Sequence, residues 1–296
     1  MSTNLKRRTM SSKPGAIAGN ALVHLLLAVL SAIWLAPLAW IVMTSLRNDT
    51  GSYFKDFFPK NGLTLRNYTE LFDPANRQLL DFPRMFMNTL FISIFACIIG
   101  TTFVVFVAYI MSRRRYKTRR FMMNVNMILG LFPGFMAMIA VYFILKAMGL
   151  TQGNWIYLAL ILVYSAGSGS GFLLLKGYMD TIPKSLDEAA TIDGCTQWEV
   201  FSKVILPISK PMIVYQILMS FLGPWLDFIF AKVIAGANSK YYTVSVGLWS
   251  MLDKERTYDW YLNFAAGAVL VSLPIGILTI LMQRFYNQSM SGAVKG

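Results

Sequence analysis

Six apolar runs, each longer than 20 residues, leave this chain few ways to fold: 16–43, 85–111, 121–147, 155–175, 207–234 and 260–282. A helix rises about 1.5 Å per residue, so roughly 20 apolar residues match the ~30 Å hydrocarbon layer of a bilayer. Backbone amides in lipid have no water to bond, which confines spanning segments to structures that satisfy themselves. Composition agrees, because 56% of the 296 residues are hydrophobic, 14% are charged and the mean hydropathy is +0.52. An ordinary soluble domain is far less apolar. The expected fold is an all-α membrane protein with about six transmembrane helices. The first run is too long for a signal-peptide core and has no cleavage site.

The net charge of +13 is read as orientation. Lys6, Arg7, Arg8 and Lys13 precede the first run, and Arg113 to Arg120 reads RRRYKTRR between the second and third. Basic residues flanking spans stay on the cytoplasmic side, while the uncharged connection Met148 to Asn154 suits the outside. Six spans then leave both termini cytoplasmic. The domain plan is a basic segment (1–15), a transmembrane domain (16–283) and a cytoplasmic tail (284–296), with the polar stretch 184–207 cytoplasmic between helices 4 and 5. Anionic lipid accounts for the basic clusters, and no nucleic-acid motif accompanies them.

Several function classes lack their parts. His24 is the single histidine and lies in the first run; Cys97 and Cys195 have no disulfide or metal spacing. No catalytic residue, metal or chain-bound cofactor is expected, and a membrane-embedded enzyme lacks its acid–base cluster. A stand-alone secondary transporter or channel would show internal repeats or paired mid-span acids, and neither is present.

Breaks within the runs mark where helices give way. Phe132-Pro133-Gly134 should interrupt the third, and Pro37, Gly223-Pro224 and Pro274 lie inside others. Gly167-Ser168-Gly169-Ser170-Gly171 is no phosphate loop, since no Gly-Lys-Ser/Thr follows and Phe172 takes the decisive place. It reads as close helix packing through Gly167 and Gly171, with a flexible gate element as the alternative. Phe132, Tyr142, Tyr164, Trp225 and Asp227 are candidates for a substrate path, with packing or interface anchoring as the plainer role of the aromatics. Asp227 stands apart, because a carboxylate in a span is costly, though Lys232 is near enough to place it at a water boundary. Residues 235–259 read as an external loop, with TVSVGLW (Thr243 to Trp249) and the charged tip Asp253, Lys254, Glu255, Arg256 facing outward.

The polar stretch Lys184 to Pro207 (KSLDEAATIDGCTQWEVFSKVILP) is a helical hairpin by local chemistry. Ser185 with Glu188, and Thr196 with Glu199, each form a capping box, predicting a first helix over about 186–193 and a second after Thr196. Gly194 falls where a left-handed residue ends the first helix. Trp198, Phe201, Val204 and Ile205 share a helical face that needs a packing partner. Pro207 and Pro211 set the angle into the fifth run.

Glu188, Ala189, Ala190, Gly194, Leu206 and Pro207 resemble the EAA loop of binding-protein-dependent ABC importer permeases, with Val204 where that pattern has isoleucine. Gly62 to Phe72, Gln283-Arg284 and the closing GAVKG extend the likeness to carbohydrate permeases, most of all the smaller permease subunit of maltose and maltodextrin importers. A long insertion in the first external loop, known from some members, is missing here. The resemblance implies that Glu188, Ala189, Ala190, Asp193, Gly194, Leu206 and Pro207 dock on an ATPase subunit, and that Gly292, Lys295 and Gly296 contact it too. It implies three partners in the bacterial cell membrane: a second permease subunit, an ATP-binding dimer carrying the ATP and Mg, and an extracytoplasmic sugar-binding protein docking near Asp253 to Arg256. The implied cargo is maltose or maltodextrin, with galacto-oligosaccharide, raffinose-type sugars or glycerol phosphate as alternatives.

Overall fold

The structure, a computed structural model, describes residues 14–78, 80–167, 171–253 and 255–293, without the side chains of 14–18, 78, 167 and 284–293. Lys6, Arg7, Arg8, Lys13, Ser168, Gly169, Ser170, Lys254, Lys295 and Gly296 therefore lie outside the described residues, and Gly292 is described by its backbone alone, inside the last helix.

The described residues are mainly helical: α1 (Pro14–Ser45), α2 (Arg66–Phe72), α3 (Phe82–Arg113), α4 (Arg119–Gly130), α5 (Gly134–Ala147), α6 (Trp155–Gly167), α7 (Phe172–Thr181), α8 (Lys184–Ile192), α9 (Gln197–Ile208), α10 (Lys210–Leu226), α11 (Ile229–Ala235), α12 (Val244–Met251) and α13 (Thr257–Ala293). Among the described residues the β pairing is one isolated bridge between Arg47 and Leu63.

Not all of the expected spans are single unbroken helices. Among the described residues, three stretches are long and apolar enough to cross a bilayer uninterrupted: Gly19–Ser45, Phe82–Arg113 and Thr257–Gln283. The third predicted span is two helices, α4 and α5, meeting at 103°. Pro133 is the cause, since its missing N–H breaks the ladder while its carbonyl accepts from Met136 and Ala137 to start α5. The fourth covers α6 and the first residues of α7. The fifth is divided twice, by a 77° bend between α9 and α10 and by Asp227. With the two bent pairs taken as single spans the count is five, and the shorter apolar Trp155–Ala166 stands beside them.

Helix α3 is the axis of the bundle, packed against α10, α7 and α6. Two apolar clusters share it. Phe82, Met85 and Ile92 at one end join Leu160, Trp225, Val246 and Ala266, while Val104, Ala108 and Met111 at the other join Leu175, Met179, Val200, Phe201 and Ile205. Gly171 lies where α7 meets α10: a Cβ there would stand 2.5 Å from Gln216 Oε1, so the close approach expected of this glycine is real.

The stretch TVSVGLW is not an outward-facing loop. Thr243, Val244 and Val246 are almost fully buried, and α12 packs on α3 and α13. The run contains no charge and four β-branched or aliphatic residues whose burial outweighs the polar context on either side. Its first turn is held by Thr89, whose Oγ1 accepts from Val244 N at 2.8 Å. At the tip beyond it, Asp253 and Glu255 are exposed and Arg256 is half-buried.

Candidate functional site

The hairpin between α7 and α10 begins two residues earlier than its first capping box predicts. Pro183, with φ −57° and ψ 133°, is the N-cap of α8, and no side chain caps it. Leu186 N already donates to Pro183 O at 3.3 Å, so the helix starts at Lys184 and Ser185 falls inside the first turn, where it does not cap. The remaining local expectations hold. Gly194 has φ +87°, its N–H donates to Thr191 O at 3.1 Å, and Cys195 N donates to Ala190 O at 2.9 Å. This pair of bonds is a Schellman turn, and it requires a left-handed residue at position 194. The second capping box is complete, with Glu199 N donating to Thr196 Oγ1 (3.3 Å) and Thr196 N to Glu199 Oε2 (2.9 Å). Lys203 Nζ donates to Glu199 Oε1 at 2.8 Å, and this bond together with those from Thr196 lowers the Glu199 carboxyl to about 2.

Val200–Ile205 within α9 forms a π turn. Pro207 explains it: the ring has no N–H to give and clashes with the carbonyl four residues back, so the ladder slips by one. The slip turns Val200, Phe201 and Ile205 inward, each at most 4% exposed. Each such side chain contributes ~2 kcal/mol of burial, which fixes α9 to the body. Phe201 meets Tyr109 at 4.7 Å and Phe106 at 5.5 Å, and Trp198 stacks on Phe106 at 6.3 Å with a 23° interplanar angle. The grip is therefore on the Arg113 end of α3.

The opposite face of the hairpin is open. Glu188, Ala189, Asp193, Gly194 and Pro207 are exposed, Ala190 and Leu206 half-buried, and Ile192 is 85% and Leu186 41% exposed. An apolar centre with an acidic rim has the make-up of a protein-docking patch.

Two residues that sequence reasoning passed over as charges complete the site. Arg113, the first of the RRRYKTRR run, is 4% exposed; its Nη2 donates to Ile182 O at 3.0 Å and its Nε lies 3.4 Å from Asp187 Oδ2. Burial pushes the Asp187 carboxyl up, with Glu188 adding and Arg113 opposing. Nothing in local sequence pairs residues so far apart.

The candidate path residues do not form one group. Tyr164 and Asp227 meet, the phenol donating to Asp227 Oδ2 at 2.7 Å. The same carboxylate accepts from Phe230 N and Ala231 N (3.3 and 3.0 Å) and so caps α11. Lys232 turns away to Tyr242, sitting 4.3 Å from its ring centre. Trp225 is 3% exposed between Phe86 and Phe221. Phe132 is exposed at the α4–α5 bend, and Tyr142 is half-buried on α5.

Apolar helices broken at prolines around one long axis, with an open hairpin clamped to its end, define a multi-pass membrane protein. The chain belongs to the binding-protein-dependent transport system inner membrane component family, which it matches over residues 100–292. It is 34% identical to the galactooligosaccharides transport system permease protein GanQ of Bacillus subtilis (strain 168), over 92% of this chain and 94% of that one. Its identity to the maltodextrin transport system permease protein MalD of Streptococcus pneumoniae (strain ATCC BAA-255 / R6) is 30%, over 100% and 99%. The fold is that of a chain in the crystal structure of a bacterial ABC transporter involved in the import of the acidic polysaccharide alginate, with TM-score 0.73, 19% identity and coverage of 93% and 98%. A chain of the MetNI methionine ABC transporter matches with TM-score 0.53 and 15% identity over 73% of this chain and 99% of that one.

Proposed function

We propose that the chain is a transmembrane permease subunit of an ATP-driven ABC importer that carries an oligosaccharide of the maltodextrin or galacto-oligosaccharide kind inward. Both termini and the hairpin face the cytoplasm. Residues Glu188, Ala189, Ala190, Asp193, Gly194, Leu206 and Pro207 dock on an ATPase of a partner dimer that holds ATP and Mg, and the Gly292 to Gly296 tail approaches the same dimer. A second permease subunit completes the pathway, and a sugar-loaded binding protein docks outside, near Asp253 to Arg256. The observation that carries this reading is the open apolar and acidic face of α8 on a hairpin whose other face is clamped to α3.

Closure of the ATPases displaces α8; the hairpin moves as one body with the end of α3, and the helices rock about the bundle, a rigid-body alternation. The proline-set bends at 133 and 207–211 are where the helices yield. The identities to permeases named for galactooligosaccharides and for maltodextrin support an oligosaccharide cargo and leave both sugars to be compared directly.

The test is purification of the chain expressed with its partners, followed by ATP hydrolysis with each sugar-loaded binding protein. ATPase subunits should co-purify, and one sugar class should stimulate hydrolysis. Glu188→Lys should insert normally but lose stimulation. Transport by the purified chain alone, or full stimulation in an assembled Glu188→Lys complex, overturns the reading.

A further inference from the structure

The Arg113 end of α3 holds the hairpin by polar contacts as well as by packing. Tyr109 Oη donates to Gln197 O at 3.4 Å, reaching the start of α9. Ser112 Oγ donates to Asp180 Oδ1 at 2.6 Å, at the end of α7, where Lys176 bonds the other oxygen. Arg113 reaches furthest, to Ile182 O at the root of α8 and to Asp187 on α8 itself. Membrane orientation asks only for positive charge at the boundary. A guanidinium 4% exposed is badly placed for that task, and its desolvation is costly.

The pair is also incompletely made. Asp187 Oδ1 and Arg113 Nε are both buried without a hydrogen-bond partner, and the 3.4 Å contact lacks hydrogen-bond geometry. A carboxylate and a guanidinium can meet through two parallel bonds. Here Asp187 keeps an unused acceptor and Arg113 an unused donor. Such a pair can re-seat as α8 shifts and still hold charge to charge.

We propose that Arg113 is a positioning residue for energy coupling: through Asp187 it ties α8 to α3, so that displacement of the docked helix is passed to the bundle axis. This rests on the coupling role given to the hairpin above. Arg113 touches neither nucleotide nor sugar; it acts through Asp187. Apolar packing of α9 holds α8 only through the 193–195 turn, whereas the ion pair ties α8 to α3 directly.

The experiment uses the assembled transporter in lipid nanodiscs with its sugar-loaded binding protein. Arg113→Gln and Asp187→Asn should retain co-purifying ATPase subunits yet lower stimulated hydrolysis roughly tenfold, within the usual range of coupling energies. The exchanged pair Arg113→Asp with Asp187→Arg should recover to within about threefold of the parent, as a re-formed charge pair requires. The proposal is overturned by unchanged stimulation in the single variants, by an exchanged pair no better than either single, or by loss of the ATPase subunits, which would make the pair a support for the docking face. Glu188→Lys in the same preparation separates the two ideas. If it uncouples while Arg113→Gln does not, the link fails and the docking reading stands; if it does not uncouple, the docking reading fails.

Discussion

Replacing Gly194 by alanine tests the hairpin at its most exacting backbone position. A Cβ at 194 would find nothing within 4 Å, so the substitution carries no steric cost from neighbours. The whole effect comes from φ +87°, a conformation that costs an L-residue about 1–2 kcal/mol. That cost falls on the two Schellman bonds, Gly194 N to Thr191 O and Cys195 N to Ala190 O. At RT of about 0.6 kcal/mol, amide hydrogen exchange at Cys195 should quicken by about 5- to 30-fold, with Ile205 and the rest of the α9 anchor unchanged. Asparagine tolerates left-handed backbone, so Gly194→Asn should quicken exchange less than alanine does. Mass-spectrometric exchange on the protein in nanodiscs reads all three. Equal protection of the alanine variant and the parent at Cys195 would refute the argument, as would asparagine behaving worse than alanine.

Three further outcomes follow from the same structure. The Glu199 carboxyl, held at about 2 by Lys203 and Thr196, lies below its ordinary value of 4.5. A depressed folded value means the stabilisation is complete above pH 4.5 and fades as pH falls toward 2. A carbon-13 titration of Glu199 should show that midpoint, and Thr196→Ala should raise it. Asn88 donates to Lys240 O and Tyr242 O, both at 3.0 Å, and accepts from Tyr157 Oη at 2.8 Å. Asn88→Leu should cost about 2–4 kcal/mol by stranding these groups, seen as a lower unfolding midpoint in detergent. At Gly247, an added Cβ would fall 2.1 Å from Met85 Sδ, itself 1% exposed. Gly247→Ala should therefore destabilise by about 1–3 kcal/mol, and should cost less in a Met85→Ala background, read as the coupling in a double-mutant cycle.

Much of the hairpin is readable from sequence because its chemistry is local. The left-handed glycine, the second capping box and the bends at Pro133 and Pro207 each depend on residues within one or two turns. The first capping box misleads because Pro183, just outside the motif, starts the helix before Ser185 can cap it. The placing of TVSVGLW outside the bundle misleads for a different reason. A short uncharged run between two spans has the composition of a turn and of a buried helix alike, and only Thr89 and the faces of α3 and α13 select the latter.

The sequence alone determined that this chain is helical and membrane-embedded, and where its hairpin turns, because hydropathy, caps and prolines act over a few residues. Tertiary structure decided which charges are structural. Arg113 reads as one more basic residue at a membrane boundary until α8 is brought against α3, and Asp227 reads as a mid-span site until it caps α11 and receives Tyr164. A charge buried beside a distant partner has no local signature, since the free energy that keeps it there comes from packing that assembles only in the folded bundle.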